Sequence, residues 1–313
     1  MADVAVIVPT LRRAESLERA LRSLFGQTRV ADRISAIVVV DNDPVGSAAA
    51  TVDGLRTDSP WPLTYVHAPR PGVATARNAG LAATDAPLIA FLDDDEAASP
   101  GWLAALLMAQ ADTGADAVFG PITGRAPDAA PWLKPWLERF FGREGPAHSG
   151  LIDQPFGCGN SLMIRATALP GPAPFDAGTD QAGGEDDALF AALATRGGRF
   201  GWAADARVEE FAPAHRATLN YALARAFAYG QGPSQTAAAA RNWAGVARWM
   251  AIGAAQTAVW GAASAVLTLI ASPKRAEMYD RTARGVGKLF WMKGFEPHFY
   301  GARELARLNR AEA

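Results

Sequence analysis

The sequence predicts an α/β fold: an open, mostly parallel sheet flanked by helices, followed by a C-terminal helical extension. Three observations predict it. Short apolar runs alternate with helical patterns over residues 1–120. Those runs are apolar at successive positions, as strands buried on both faces of a parallel sheet require. From Ala217 onward only helical patterns occur. Strand-helix alternation of this kind places helices on both faces of the sheet.

Taken in order, Val4–Val8 is the first strand. Leu17, Ala20, Leu21 and Leu24 recur at helical spacing from Glu15 to Phe25, and Gly26 supplies a stop. Ala36–Val40 is the second strand, running into the turn signal Asp41-Asn42-Asp43-Pro44. Leu63–His67 is the third, Val73–Leu81 a helix, and Pro87–Leu92 the fourth strand. Ser99-Pro100 opens a helix through Gln110, with Ser as N-cap and Pro at the first helical position. Asp116–Phe119 is the fifth strand. Residues 121–156, rich in Pro and aromatics, read as a functional loop or lid. Asn160–Arg165 restores a strand, Asp187–Thr195 is a short helix, and Arg207–Phe211 is the last strand. The boundary falls near 215, giving domains 1–215 and 216–313.

Composition narrows the class. Half of the 313 residues are apolar and the net charge is −2, which excludes global disorder. The single cysteine, Cys158, excludes a disulfide scaffold. The N-terminus has no basic stretch before its short apolar run, so it does not read as a signal peptide, and a cytoplasmic location is expected. Residues 1–214 carry 17 Lys/Arg against 27 Asp/Glu, whereas residues 215–313 carry 13 against 5. An acidic body argues against a nucleic-acid binder, and a basic extension suits an anionic membrane surface.

Open parallel sheets bind ligands beyond the carboxyl ends of their strands, and acidic residues collect there. Asp41 follows the second strand, and Asp93-Asp94-Asp95-Glu96 follows the fourth. Four successive acids repel one another unless a cation or hydrogen-bond donors offset the charge. The residues alone leave two readings open, a divalent-metal site or an acidic turn before a helix. Arg70 and Arg77 bracket a helix start, where an anion is favoured, though such a pair also suits a solvated face. Gly183-Gly184-Glu185-Asp186-Asp187 is either a glycine turn with acids at a helix N-terminus or a carboxylate poised as a general base.

Together these clusters form an ordered set. Val6-Ile7-Val8-Pro9-Thr10, Val38-Val39-Val40-Asp41-Asn42, Gly72 through Gly80, Phe91-Leu92-Asp93-Asp94-Asp95-Glu96 and Gly184-Glu185-Asp186 resemble the family 2 glycosyltransferases in order and spacing. The resemblance covers roughly residues 4–232, including Arg225-Ala226-Phe227-Ala228-Tyr229-Gly230. It implies a GT-A fold, inversion at the anomeric carbon, a nucleotide-sugar donor, most often UDP-linked, and Mn²⁺ or Mg²⁺.

By that resemblance Pro9 and Thr10 lie beside the nucleobase, Asp41 bonds the uracil, and Arg70 and Arg77 line the nucleotide. Asp93 and Asp94 approach the ribose, Asp95 binds the metal, and Asp186 is the base. Gly159, Asn160 and Glu185 fall on the acceptor side, and Cys158 is a small buried residue rather than a nucleophile. Two departures stand out. Many relatives carry a metal-binding His after the last strand; here Glu210 stands in, with His215 the nearest His. The Q-x-x-R-W motif of processive synthases is absent, since Arg241-Asn242-Trp243 lacks the order, so single-sugar addition is expected.

The expected reaction moves one sugar to a hydroxyl of a saccharide or lipid-linked acceptor in cell-envelope or exopolysaccharide synthesis. Rival readings are an inactive nucleotide- or membrane-binding scaffold, which intact Asp95 and Asp186 oppose, and a sugar-1-phosphate nucleotidyltransferase. The latter needs a glycine-rich phosphate loop, and Pro9-Thr10-Leu11-Arg12-Arg13 has no glycine. In the extension no charge occurs between Arg248 and Lys274. Trp249, Ile252, Val259, Val266 and Ile270 share one helical face and Thr257, Gly261, Ser264 and Thr268 the opposite one. Basic residues and aromatics follow from Arg275 to Phe295. A helix lying on the inner face of the plasma membrane is expected over a single span.

Overall fold

The computed structural model describes residues 2–181, 183–299, 301, 305–307 and 309. It divides into two compact units. The first comprises 1–123, 142–211 and 298–313, and the second 124–141 and 212–297.

In the first unit β1 (Val4–Thr10), α1 (Ala14–Phe25), β2 (Ile34–Asp41), α2 (Ala49–Leu55) and β3 (Leu63–His67) build three parallel strands. Next α3 (Val73–Ala82) returns the chain to β4 (Leu88–Phe91), parallel to β1 on its other side. The acidic run then turns into β5 (Glu96–Ala98), followed by α4 (Trp102–Thr113), β6 (Ala117–Phe119) and β7 (Ile122–Arg125). After α5 (Lys134–Phe141) come β8 (Gly150–Ile152), β9 (Ser161–Ile164), α6 (Arg165–Ala168), α7 (Glu185–Thr195), β10 (Phe200–Trp202) and β11 (Val208–Phe211).

Eight strands form one sheet in the order β3-β2-β1-β4-β9-β6-β10-β8, and β5-β11-β7 form a second. In the large sheet β9 is antiparallel to β4 and β6, and β8 is antiparallel to β10. Its other pairs are parallel.

Alternation along the strands feeds two cores. Val4, Val6 and Val8 of β1 join Ile37 and Val39 on one face, packed against Leu17, Leu21 and Leu24 of α1. Ala5 and Ile7 join Val38 and Val40 on the other, packed against Ala74, Ala76 and Leu81 of α3. Each large side chain removed from water contributes about 1.5–3 kcal/mol. Helix α3 lies close because Gly80 faces the sheet, where a Cβ would meet Ile7 Cγ2 at 2.6 Å. In consequence Thr10 and Asp41 sit side by side in register, and the chain leaving β4 enters the acidic run.

In the second unit α8 (Leu219–Ala239), α9 (Trp243–Leu269) and α10 (Arg275–Leu289) pack together, and α5 packs on α8 and α10. The segment expected to be a loop or lid therefore holds β7, α5 and β8. Its apolar residues Leu133, Trp136 and Leu137 fill a core with Ala217, Ala222 and Ala276, which an open loop does not do. Helix α9 is turned inside out. Val246, Gly253 and Ser264 are its buried residues, while Val259, Val266, Leu269 and Ile270 are exposed. Its length and apolar composition are enough to cross a membrane.

Candidate active site

The residues that follow β1 reach the acidic run first. Thr10 Oγ1 donates to Asp94 Oδ2 at 2.7 Å. Arg13 donates from one nitrogen to both Asp94 Oδ1 at 2.7 Å and Asp95 Oδ2 at 2.8 Å. Its neighbour Arg12, in left-handed backbone at φ 52°, turns the other way and bonds Asp43 Oδ2 at 2.9 Å. Sequence reasoning missed Arg13, because an Arg-Arg pair after a strand carries no spacing that names its partners.

Burial dominates the electrostatics of this run. It pushes the Asp93 and Asp94 carboxyls above their ordinary value, with repulsion from Asp95 adding to it, while Arg77 and Arg13 respectively oppose it. Glu96 is 1% exposed and is raised well above a normal glutamate, by burial first and then by Asp93 and Glu210. Glu210 lies opposite Glu96 in the β11–β5 ladder. His215 belongs to the second unit.

Among the described residues no three His, Cys, Asp or Glu side chains are arranged to hold a metal ion. The donor set is nevertheless chemically suited to one. It offers hard carboxylate oxygens under strong mutual repulsion, and Mg²⁺ or Mn²⁺ binds through one or two carboxylates with phosphate oxygens completing the shell.

Helix α7 presents the other half of the site. Gly183 and Gly184, at φ 85° and 90°, make the turn into its first residues, a conformation that side chains resist. Successive acids then diverge. Glu185 turns inward to a buried ion pair with Arg77, which also reaches Asp93 at 3.4 Å. Asp186 instead accepts the Cys158 N–H through Oδ2 at 3.1 Å and the Asp187 N–H through Oδ1 at 2.9 Å. Cys158 itself is fully buried, and burial pushes its thiol well up, so it stays neutral.

Several expected site residues have other employment. Arg77, expected to line the nucleotide, is buried as the ion-pair partner of Glu185, itself expected on the acceptor side. Asn160, expected on the acceptor side, is 0% exposed, with Nδ2 donating to Pro121 O and Ala206 O and Oδ1 accepting from Trp102 Nε1. Gly159 lies against the acids, where a Cβ would meet Asp93 Oδ2 at 2.6 Å. Asp41 is buried, accepting from Asp43 N, Ala48 N and Tyr65 Oη. Arg70 is exposed and Pro9 half-buried.

The start of α3, where an anion is favoured, is filled from within. Asp180 accepts from the Thr75 N–H at 3.1 Å and from its hydroxyl. A side chain at Gly72 would overlap it, with a Cβ 2.0 Å from Asp180 Cγ. A second residue missed by sequence is Arg143, whose guanidinium donates to the carbonyls of Gly157 at 3.0 Å and Gly159 at 2.9 Å.

The sequence profile of Glycosyl transferase family 2 matches residues 5–170. The chain belongs to that family. This family 2 glycosyltransferase is 33% identical over 307 residues to the succinoglycan biosynthesis protein ExoM of Rhizobium meliloti, spanning 95% of this chain and 96% of that protein. It is 35% identical over 142 residues to a validoxylamine A glucosyltransferase of Streptomyces hygroscopicus, 44% of this chain and 33% of that one. Among solved structures, the mannosyltransferase PcManGT from Pyrobaculum calidifontis, in complex with GDP-Man and Mn²⁺, superposes with a TM-score of 0.60 at 19% identity. The match covers 93% of this chain and 88% of that one. The S. aureus TarS fragment with UDP-GlcNAc superposes at 0.50 with 17% identity, over 67% of this chain and 58% of that one. The expected GT-A fold is the one observed.

Proposed function

We propose that this family 2 glycosyltransferase is an inverting, metal-dependent enzyme that adds single sugars from a nucleotide-sugar to a saccharide or lipid-linked acceptor in polysaccharide synthesis. The observation that carries the reading is the nearness of Asp186, held by the Cys158 N–H, to Asp93 at the head of the acidic run. Its near full-length similarity to a succinoglycan biosynthesis protein supports the substrate class, and relatives of the fold bound to UDP-GlcNAc and GDP-Man support the donor class.

The nucleotide lies across the ends of β1 and β2, near Pro9, Thr10 and Arg70, with Asp41 shaping the adjoining loop. Asp93 and Asp94 face the ribose, and Asp95 leads the metal site. A bound Mn²⁺ or Mg²⁺ ion there supplies positive charge to the departing diphosphate. Arg13 keeps Asp94 and Asp95 oriented. Asp186 accepts the proton of the acceptor hydroxyl as that oxygen attacks, a group far too weakly acidic to ionise unaided at neutral pH. The α9 face and the basic residues after it hold the protein to an anionic cytoplasmic membrane surface.

The test is a panel of nucleotide-sugars assayed with Mn²⁺ or Mg²⁺ for release of nucleoside diphosphate and for transfer to saccharide acceptors. Turnover of one donor, with the product anomer inverted by NMR, is the expected result. No turnover of any donor with any acceptor would leave a binding scaffold.

A further inference from the structure

The Gly157–Cys158 peptide group links two charged side chains end to end. Its carbonyl accepts from Arg143 Nη2 at 3.0 Å, and its N–H donates to Asp186 Oδ2 at 3.1 Å. In a trans peptide the two groups point in opposite directions within one rigid plane, and no cis bond occurs among the described residues. The guanidinium therefore grips the negative end of the peptide dipole while the positive end meets the carboxylate. Each bond polarises the other.

Arg143 is well anchored for this task. Its backbone exchanges hydrogen bonds with Ile122 at 2.8 and 3.0 Å, and its guanidinium lies 5.5 Å from the Phe156 ring centre. The second arm, Nη1, holds Gly159 O at 2.9 Å and reaches Gly120 O and Asn160 O at 3.4 Å. The far end of the turn is fixed by Asn160, at φ 52°, through its buried amide. The two charges flank Gly157 closely: a Cβ there would lie 3.3 Å from Asp186 Oδ2 and 3.4 Å from Arg143 Nη2.

We propose that Arg143 is a positioning residue for the Asp186 carboxylate, acting through the Gly157–Cys158 peptide. The inference rests on Asp186 being the base. Arg143 touches no reacting atom; it sets the direction of the N–H that orients the carboxylate. A fork of planar donors does this and a single ammonium does not.

The experiment compares Arg143→Gln, Arg143→Lys, Asp186→Asn and the double variant Arg143→Gln/Asp186→Asn in the full-length protein. It uses the nucleotide-sugar that the wild type turns over, or UDP alone for binding. Arg143→Gln is expected to lower kcat by about 10²-fold, the scale of a small misplacement, with Kd for UDP unchanged within a few-fold. Arg143→Lys should stay well below wild type despite its charge. In the double variant the second change should add nothing to Asp186→Asn, because both act on one element. Multiplying losses in the double variant, full activity in Arg143→Lys, or a loss of UDP binding that matches the loss of kcat would overturn the proposal. Should Arg143→Gln fail to fold, Arg143→Lys alone decides it by the same criteria. Normal transfer by Asp186→Asn would instead overturn the assignment of the base.

Discussion

Arg77 and Glu185 form an ion pair whose side chains are only 4% and 5% exposed. It ties α3 to the first turn of α7, directly before Asp186, and Arg77 extends the tie to Asp93. One buried cation thus serves acids from both halves of the site.

Replacing Arg77 with Met leaves Glu185 buried without its partner. The expected loss is about 3–5 kcal/mol, as for other broken buried pairs, read as a lower urea midpoint. Adding Glu185→Gln should recover part of it, since the neutral amide tolerates burial better than an unpaired carboxylate.

Asp43, outside the acidic run, supplies a pH test. Burial raises its carboxyl, but Arg12, Ser47 and the Val45 N–H outweigh burial and hold it below the ordinary value. Its stabilisation is therefore complete above the unfolded value near 4 and is lost as pH falls through the lower folded value. Asp43→Asn should cost about 1.5–3 kcal/mol at pH 7, with the gap to wild type closing below about pH 4. Urea titrations at both pH values check this.

Asp95→Ala removes a carboxylate from the proposed cation. Turnover should fall almost to zero while far-UV circular dichroism is preserved, since Arg13 keeps Asp94. Wild type should stop in EDTA and resume with added Mn²⁺ or Mg²⁺; full activity in chelator would take the metal out of the mechanism.

Asp186→Asn keeps the shape, with an amide oxygen that can accept from either the Cys158 or the Asp187 N–H, but cannot take up a proton at neutral pH. Transfer should drop by about 10²–10⁴-fold with donor binding intact. Lost donor binding with surviving transfer would assign Asp186 to the donor.

The full-length protein should sediment with anionic vesicles, release partly in high salt and fully in detergent, and bind neutral vesicles more weakly. Each Lys or Arg at such a surface contributes about 1 kcal/mol. Binding equal on neutral and anionic vesicles and resistant to carbonate would indicate that α9 spans the bilayer. Failure to bind either would make it a packing helix.

Much of this was legible in the chain. Strands β1, β2 and β4 announce themselves because their central residues, Val4–Val8, Ile37–Val40 and Ile89–Phe91, are buried on both faces and apolar without a break. The acids at their ends stand out because charge directly after such a strand is costly. What stayed hidden depends on distant segments meeting. β5 is three residues long and begins with an acid of the run itself, so no periodicity marks it. Arg13, Arg143 and Asp180 act on backbone groups or lone carboxylates, which impose no spacing. The two faces of α9 were visible, but a face of Gly, Ser and Thr reads as the wet one. Here those small residues are the ones that let helices approach, as where a Cβ on Gly253 would lie 2.7 Å from Gly285 O.

That outward apolar face bears on how the enzyme meets its acceptor. If α9 lies in the headgroup layer and the acceptor is lipid-linked, as proposed, enzyme and saccharide would diffuse in one shared plane, and their encounter would become a two-dimensional search. Acceptor supply is then measured per unit of membrane area, so a water-soluble analogue of the same saccharide competes poorly even when its sugar contacts are identical.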